Sequence, residues 1–351
     1  MTSQPIIDSH IHLWPAETAN EEGHVWMTPG MPLAKPHLLQ DYHLASSNTP
    51  SDSHFPTQVT GVVYIETDVR YDAPSSSDDV ATWARGPLDE ILFCRRIVEG
   101  QHGAQDSRTL LGIVPWAPVD QPTSTLEEYL TLAKDMAGPQ AWPRVKGFRF
   151  LLQAIPERER FERLVFSDAF VDNLKLLGRR GFSFDVGVDQ HSAGIWQLEA
   201  MAAAMERAHR DVPEEEKVVF VVNHLCKPDF AAYPHGFEPW AAAVEKMAKL
   251  SRTYMKLSGA FSELPPGLSF TETIVDSIAK WVRHVFAVFG AQRVMFGSDW
   301  PVCNVSGPKG EASWPVWKDV VHLLMTASMA LNDRDQQSVW YRTAAEAYRL
   351  T

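Results

Sequence analysis

Disulfide chemistry has little to work with in this chain: its 351 residues include three cysteines, Cys94, Cys226 and Cys303. The odd count and wide spacing exclude a disulfide framework or a zinc-finger pattern, and reduced thiols in a cytoplasmic protein are expected. Long apolar runs are also missing. No stretch reaches the roughly 20 apolar residues of a membrane span. The first residues enter a strand-like run by Ile6 without the basic segment and apolar core of a secretory leader. Basic charge is scarce: 32 Lys and Arg against 44 Asp and Glu leave a net charge of -12. That excludes the broad basic surface by which proteins hold nucleic acid or anionic membranes. A small-molecule substrate stays open, because its recognition depends on local groups, and so does a homo-oligomer. No glycine-rich phosphate loop follows the first apolar run, which disfavours a dinucleotide-binding fold.

With 45% hydrophobic and 22% charged residues, the chain has ample material for a large core. Eight short apolar runs recur, at 6–11, 61–65, 110–114, 145–150, 182–188, 218–222, 254–257 and 294–296. Their Val, Ile and Phe content suits strands covered on both faces. Helical patterns at 126–136, 161–180, 195–209, 239–250, 271–289 and 317–330 supply the crossovers. Eight strands with helical crossovers predict an α/β fold, a (β/α)8 TIM-like barrel with extended strand-end loops, in one domain over 1–351. Long loops at 14–58, 68–77 and 301–315 follow strands, so they belong on the carboxyl-end face where such barrels carry their chemistry.

The strand ends hold the candidate groups. Asp8, His10 and His12 alternate along the first strand and are expected on one face, with the two imidazoles converging beyond its end. Arg149 ends the fourth strand, and His191 follows the fifth. His224 ends the sixth, Lys256 and Ser258 mark the seventh, and Asp299 ends the eighth. A lone strand-end histidine is usually structural, but an HxH pair joined by a histidine and an aspartate from two other strands points to water activation or metal binding.

Five segments carry a resemblance. Ile-Asp-Ser-His-Ile-His-Leu-Trp at 7–14, Val-Lys-Gly-Phe-Arg-Phe-Leu-Leu-Gln at 145–153 and Val-Asn-His-Leu-Cys-Lys-Pro at 222–228 are three of them. Met-Lys-Leu-Ser-Gly at 255–259 and Phe-Gly-Ser-Asp-Trp-Pro-Val-Cys at 296–303 complete the set. In this order they resemble the amidohydrolase superfamily, most closely its branch of sugar-acid lactonases and 2-pyrone-4,6-dicarboxylate lactonase. The resemblance implies a barrel with an active site built from His10, His12, His224 and Asp299, opening a small lactone such as an aldono-1,4- or 1,5-lactone (L-rhamnono- or L-fuconolactone). Two rivals share the scaffold: a pyrone-dicarboxylate lactonase, which would need several cations in its pocket, and a metal-dependent decarboxylase of aromatic acids. A non-enzymatic binding protein is the third, opposed by the retention of all four central groups.

Lactone hydrolysis needs a base for water and donors for the developing oxyanion, and Asp299 is the expected base. Its structural alternative is a helix N-cap. His10 and His12 can serve as metal ligands or as direct donors. The fourth strand offers Arg149 where binuclear relatives carry a bridging ligand, so at most one divalent ion is expected, zinc by donor type, on His10 and His12 with Asp299 or His224. Catalysis without metal is equally open, as in some members of the branch. Arg149 is expected to bind substrate through its fork of donors, or else to form a structural salt bridge. His191 could contact substrate, ligate a metal or be structural; Lys256 could contact substrate or pack in the barrel. Trp14, Trp26, Trp116 and Trp300 fall near strand ends, where indoles stack on rings; Trp116 and Trp300 are taken as substrate contacts. Cys303 is expected to pack rather than react.

Overall fold

Because the apolar runs are rich in β-branched residues and the segments between them carry helical periodicity, strand and helix alternate through the chain. The computed structural model describes residues 3–47, 55–72, 74, 79–264, 267–268 and 270–350. Its strands are β1 (Gln4–Ile11), β2 (Thr57–Ile65), β3 (Leu110–Val114), β4 (Gly147–Arg149), β5 (Ser183–Val186), β6 (Val219–Val222), β7 (Thr253–Leu257) and β8 (Val294–Phe296). All neighbours run parallel, β1 to β3 in one sheet and β4 to β8 in another.

The sheets meet along both edges, giving the (β/α)8 barrel expected from the sequence. At one seam Ile113 bridges Val145 and Trp116 bridges Arg149; at the other Ile11 bridges Trp300. Pro115 lies in the first seam and has no N–H to give, so the ladder is reduced to Lys146 N donating to the Ile113 carbonyl and Arg149 N to that of Pro115, each at 2.9 Å, and Ala117 N to that of Arg149 at 3.1 Å. This is why β4 spans fewer residues than the run 145–150. Ile7, Val63, Ile65, Val114, Val221 and Met295 fill the inside of the ring, where Ala344, Ala347 and Tyr348 join them. Lys146, just before β4, bonds Arg349, so this closing segment plugs the amino end of the barrel and leaves the carboxyl end free for the site.

Helices Ile195–His209 and Thr271–Phe289 keep their expected bounds. The pattern at 161–180 divides into Arg158–Val165 and Asp168–Arg179, because Ser167 is extended and its Oγ accepts the Phe170 amide at 3.1 Å. Helix Arg85–Val98 was not expected; its Gly-Pro start reads as a turn, yet proline in a first turn loses no helical bond. The loop after β1 folds back by pairing Trp14 with His37. Residues 48–54 of the 14–58 loop, and 73 and 75–77 of the 68–77 loop, lie outside the described residues. Among the described residues, no helix is long and apolar enough to cross a membrane.

Candidate active site

Strand β1 does not keep simple alternation. Its pairing with β2 shifts between Asp8 and Ile11, and such an irregularity re-aims side chains. Asp8 therefore does not share the face of His10 and His12. Its carboxylate accepts Ser298 N at 2.8 Å, Tyr42 OH at 2.9 Å and Trp314 Nε1 at 3.0 Å, tying β1 to the end of β8 and to the helical layer.

His10 and His12 meet at their Nε2 atoms, 3.1 Å apart. Asp299 Oδ1 lies 3.6 Å from His10 Nε2, 3.5 Å from His12 Nε2 and 3.7 Å from His224 Nε2, so three strand ends converge on one carboxylate. The backbone is bent to do this. Asp299 has φ 62°, and His224 to Lys227 all have positive φ, a conformation non-glycine residues rarely adopt and one that clusters at functional sites. Beside them Gly259 is required: a Cβ there would sit 2.5 Å from His224 Nδ1. His12 Nδ1 donates to the Ile65 carbonyl at 2.9 Å, and a carbonyl only accepts, so His12 turns the lone pair of Nε2 toward the centre. His224 Nδ1 lies 2.8 Å from Ser258 Oγ.

Burial, reinforced by Lys256, holds the His10 pKa well below the usual imidazole range. Burial also takes His224 down to about 3, with Lys227 and Lys256 adding to the effect and Asp299 opposing it. Both rings are uncharged near neutrality. Burial raises the Asp299 pKa, but His224, His12 and Lys227 outweigh it and leave the carboxyl below its ordinary range, ionised and able to take a proton.

Two buried cations, Arg149 and Lys256, and the partly buried Lys227 surround the quartet, each with an acidic partner. Arg149 donates through Nε to Glu66 Oε1 at 2.5 Å and through Nη2 to the Glu66 carbonyl at 2.7 Å. Lys256 Nζ lies 2.7 Å from Asp185 Oδ2 and 3.1 Å from His10 Nδ1, inside the ring. Lys227 Nζ lies 3.1 Å from both Asp189 Oδ2 and Glu263 Oε1. Glu66, Asp185 and Glu263 were not among the expected groups. The signal was there for two: Glu66 directly follows the apolar run of β2, and Asp185 is a charge inside the apolar run of β5.

The family profile described as "Amidohydrolase" matches residues 7–350. The chain belongs to the amidohydrolase family. It is 30% identical to the L-rhamnono-gamma-lactonase of Scheffersomyces stipitis over the whole of both chains. It is 25% identical to the L-fucono-1,5-lactonase of Burkholderia multivorans, covering 98% of this chain and 96% of that one. Among solved structures, an amidohydrolase from Burkholderia multivorans with bound zinc superposes with a TM-score of 0.72 at 23% identity, over 99% of each chain. That likeness confirms the fold.

A cavity of 380 Å³ opens above three of the four central groups in this amidohydrolase, lined by His12, His224, Asp299, Arg149, Trp14 and Trp26, with Asp68, Gln153 and Lys227 also in its wall; His10 is buried behind it. A larger cavity of 770 Å³ lies beside helix Arg85–Val98, but of the central four groups it contains none. Four expected contacts lie off this wall. Trp116 is buried among Tyr71, Trp83, Tyr129 and Phe150. Trp300 packs its buried ring on His37 and Tyr42, because the bent backbone at Asp299 sends the two neighbours to opposite sides. Lys256 is sealed beneath His10, and His191 pairs with Glu263 at 2.7 Å, outside the wall. Cys303 is buried, and burial pushes its thiol well above its usual value. For a metal, the ligand atoms of His10, His12 and Asp299 all lie within 4.8 Å of one another, and two imidazoles with a carboxylate suit zinc by distance and donor type.

Proposed function

We propose that this amidohydrolase, read as one catalytic domain over 1–351, opens a sugar-acid lactone, an aldono-1,4- or 1,5-lactone such as L-rhamnono- or L-fuconolactone. The observation that carries the reading is the single carboxylate Oδ1 of Asp299, ionised and 3.5 to 3.7 Å from three imidazoles at the floor of a lactone-sized cavity. Asp299 takes a proton from the attacking water and returns it to the leaving ring oxygen. His224 and Lys227, in the cavity wall, are the groups placed to donate to a carbonyl oxygen as it gains charge, and a donor preset there stabilises the tetrahedral intermediate without reorganisation. Trp14 and Trp26 give the ring flat apolar walls, and Asp68 and Gln153 offer acceptors to its hydroxyls. Two lactonase relatives support the substrate class. One divalent ion, zinc by donor type, would be held by His12 and Asp299 with His10 or His224, and when bound would polarise the lactone carbonyl. Three buried free cysteines suit a reducing, cytoplasmic setting.

Charge disfavours a dicarboxylated pyrone. The cations of the wall, Arg149 and Lys227, are already paired with Glu66, Asp189 and Glu263, and Asp68 adds a carboxylate. A screen of aldonolactones with a pH indicator, run on chelated and zinc-loaded protein, tests the proposal. Acid release that falls about 10²-fold or more in Asp299→Asn is expected. No acid from any lactone, with carbon dioxide released from a hydroxybenzoate instead, would make the protein a decarboxylase.

A further inference from the structure

Inside the barrel a chain of hydrogen bonds runs from Tyr348 to the wall of the site. Tyr348 OH donates to Asp185, 2.8 and 2.9 Å from its two oxygens. Lys256 Nζ donates to Asp185 Oδ2 at 2.7 Å and stands 3.1 Å from His10 Nδ1. Both members of this ion pair are fully buried. An ammonium has three donors and no lone pair, so the His10 Nδ1 that faces it must accept. In an uncharged imidazole the single proton then sits on Nε2. The far end of the chain requires the same arrangement independently. His12 gives its Nδ1 proton to the Ile65 carbonyl, so its Nε2 has a lone pair to meet the His10 Nε2–H across 3.1 Å.

We infer that Lys256 is a positioning residue that fixes His10 as an Nε2–H donor to His12, and so keeps His10 out of any metal-ligand set. Ligation through Nε2 would need that proton gone from Nε2 and one on Nδ1, where it would meet the donor of Lys256. Partners behind ligating histidines ordinarily accept this proton, and their loss weakens metal binding about 10- to 100-fold. Lys256 is placed in the opposite sense. Its removal strengthens binding, because it frees His10 to complete the set with His12 and Asp299. The effect on turnover rests on the proposed lactone chemistry; the proton position and the metal effect do not.

The direct test is ¹⁵N NMR of histidine-labelled wild-type protein, with the His10 ring assigned by its loss in His10→Gln. An Nε2–H tautomer at His10 and Nδ1–H at His12 are expected; Nδ1–H at His10 would overturn the inference. In Lys256→Met the His10 tautomer is released, zinc competed against a chromogenic chelator binds about 10-fold or more tightly, and kcat falls while KM holds. General loss of structure would weaken zinc binding, so unchanged or weaker binding by the folded variant refutes the proposal. Because Lys256→Met leaves Asp185 buried without its cation, the pair Asp185→Asn with Lys256→Met removes both charges and is read identically. Should no lactone be opened while the tautomer and zinc results hold, the lactone reading fails and this one stands.

Discussion

Replacing Glu66 by glutamine isolates the buried ion pair that supports the fourth-strand arginine. Glu66 is fully buried, Arg149 nearly so, and Nε to Oε1 is 2.5 Å. Burial lowers the Arg149 pKa, but Glu66 raises it more strongly, leaving the guanidinium above its ordinary value. Removing one partner of such a pair costs about 3–5 kcal/mol, since the other is left buried and uncompensated. Glutamine keeps a neutral acceptor worth about 1 kcal/mol, so a net loss of roughly 2–4 kcal/mol is expected. Unfolding entropy of about 2.1 cal/mol/K per residue over 351 residues gives roughly 0.7 kcal/mol/K, which converts this loss into a Tm about 3–6 °C lower. Calorimetry at pH 7 measures it. Adding Arg149→Met should recover most of the difference, because no charge then remains buried. A Glu66→Gln protein melting within about 1 °C of wild type, or a double variant less stable than the single, would refute the ion-pair argument.

Further outcomes follow from neighbouring groups. Arg149→Lys keeps the charge but loses the planar fork; it should lower Tm, and a substrate role requires KM to rise as well, whereas unchanged KM would confine Arg149 to support. Burial and the charge of Glu66 raise the Glu90 carboxyl to about 7. The folded state therefore holds a proton that the unfolded state has released, and stability falls as pH rises from about 4.5 to about 7. Glu90→Gln should gain in Tm relative to wild type across that interval; a pH-independent difference removes Glu90 as the cause. Asp8→Ala strips an acceptor from Ser298 N, Tyr42 and Trp314, and should cost about 2–4 kcal/mol by denaturant titration, a value under 1 kcal/mol excluding the clamp.

Much of the barrel was legible because a strand covered on both faces has to be apolar throughout, and eight such runs stand out. The HxH pair, His224 and Asp299 were legible because polar residues ending apolar runs have few structural reasons to recur. Asp8 was misplaced: a shift of register leaves no mark in the residue pattern, so alternation assigned it to the wrong partners. Helix Arg85–Val98 was hidden by a Gly-Pro pair that reads as a turn. Trp300 shows the limit of proximity in sequence, since a neighbour of a site residue on a bent segment faces away from it, and Trp116 shows that a place near a strand end does not bring a ring to the cavity. The pairing of Lys256 with Asp185 joins strands 71 residues apart, and nothing local to either residue announces the other.

The bond between Asp8 and Ser298 spans 290 positions, and the one between Ser9 and Phe296 spans 287. Contacts of such separation form late, after the entropy of closing a very long loop has been met. A chain still emerging from the ribosome can pair its early strands, but its imidazoles have no Asp299 carboxylate to meet until the eighth strand is released and seated against the first. Truncation anywhere before Asp299 therefore leaves the three imidazoles without their shared carboxylate however well the remainder folds. During refolding, the site is assembled only when the first strand meets the last.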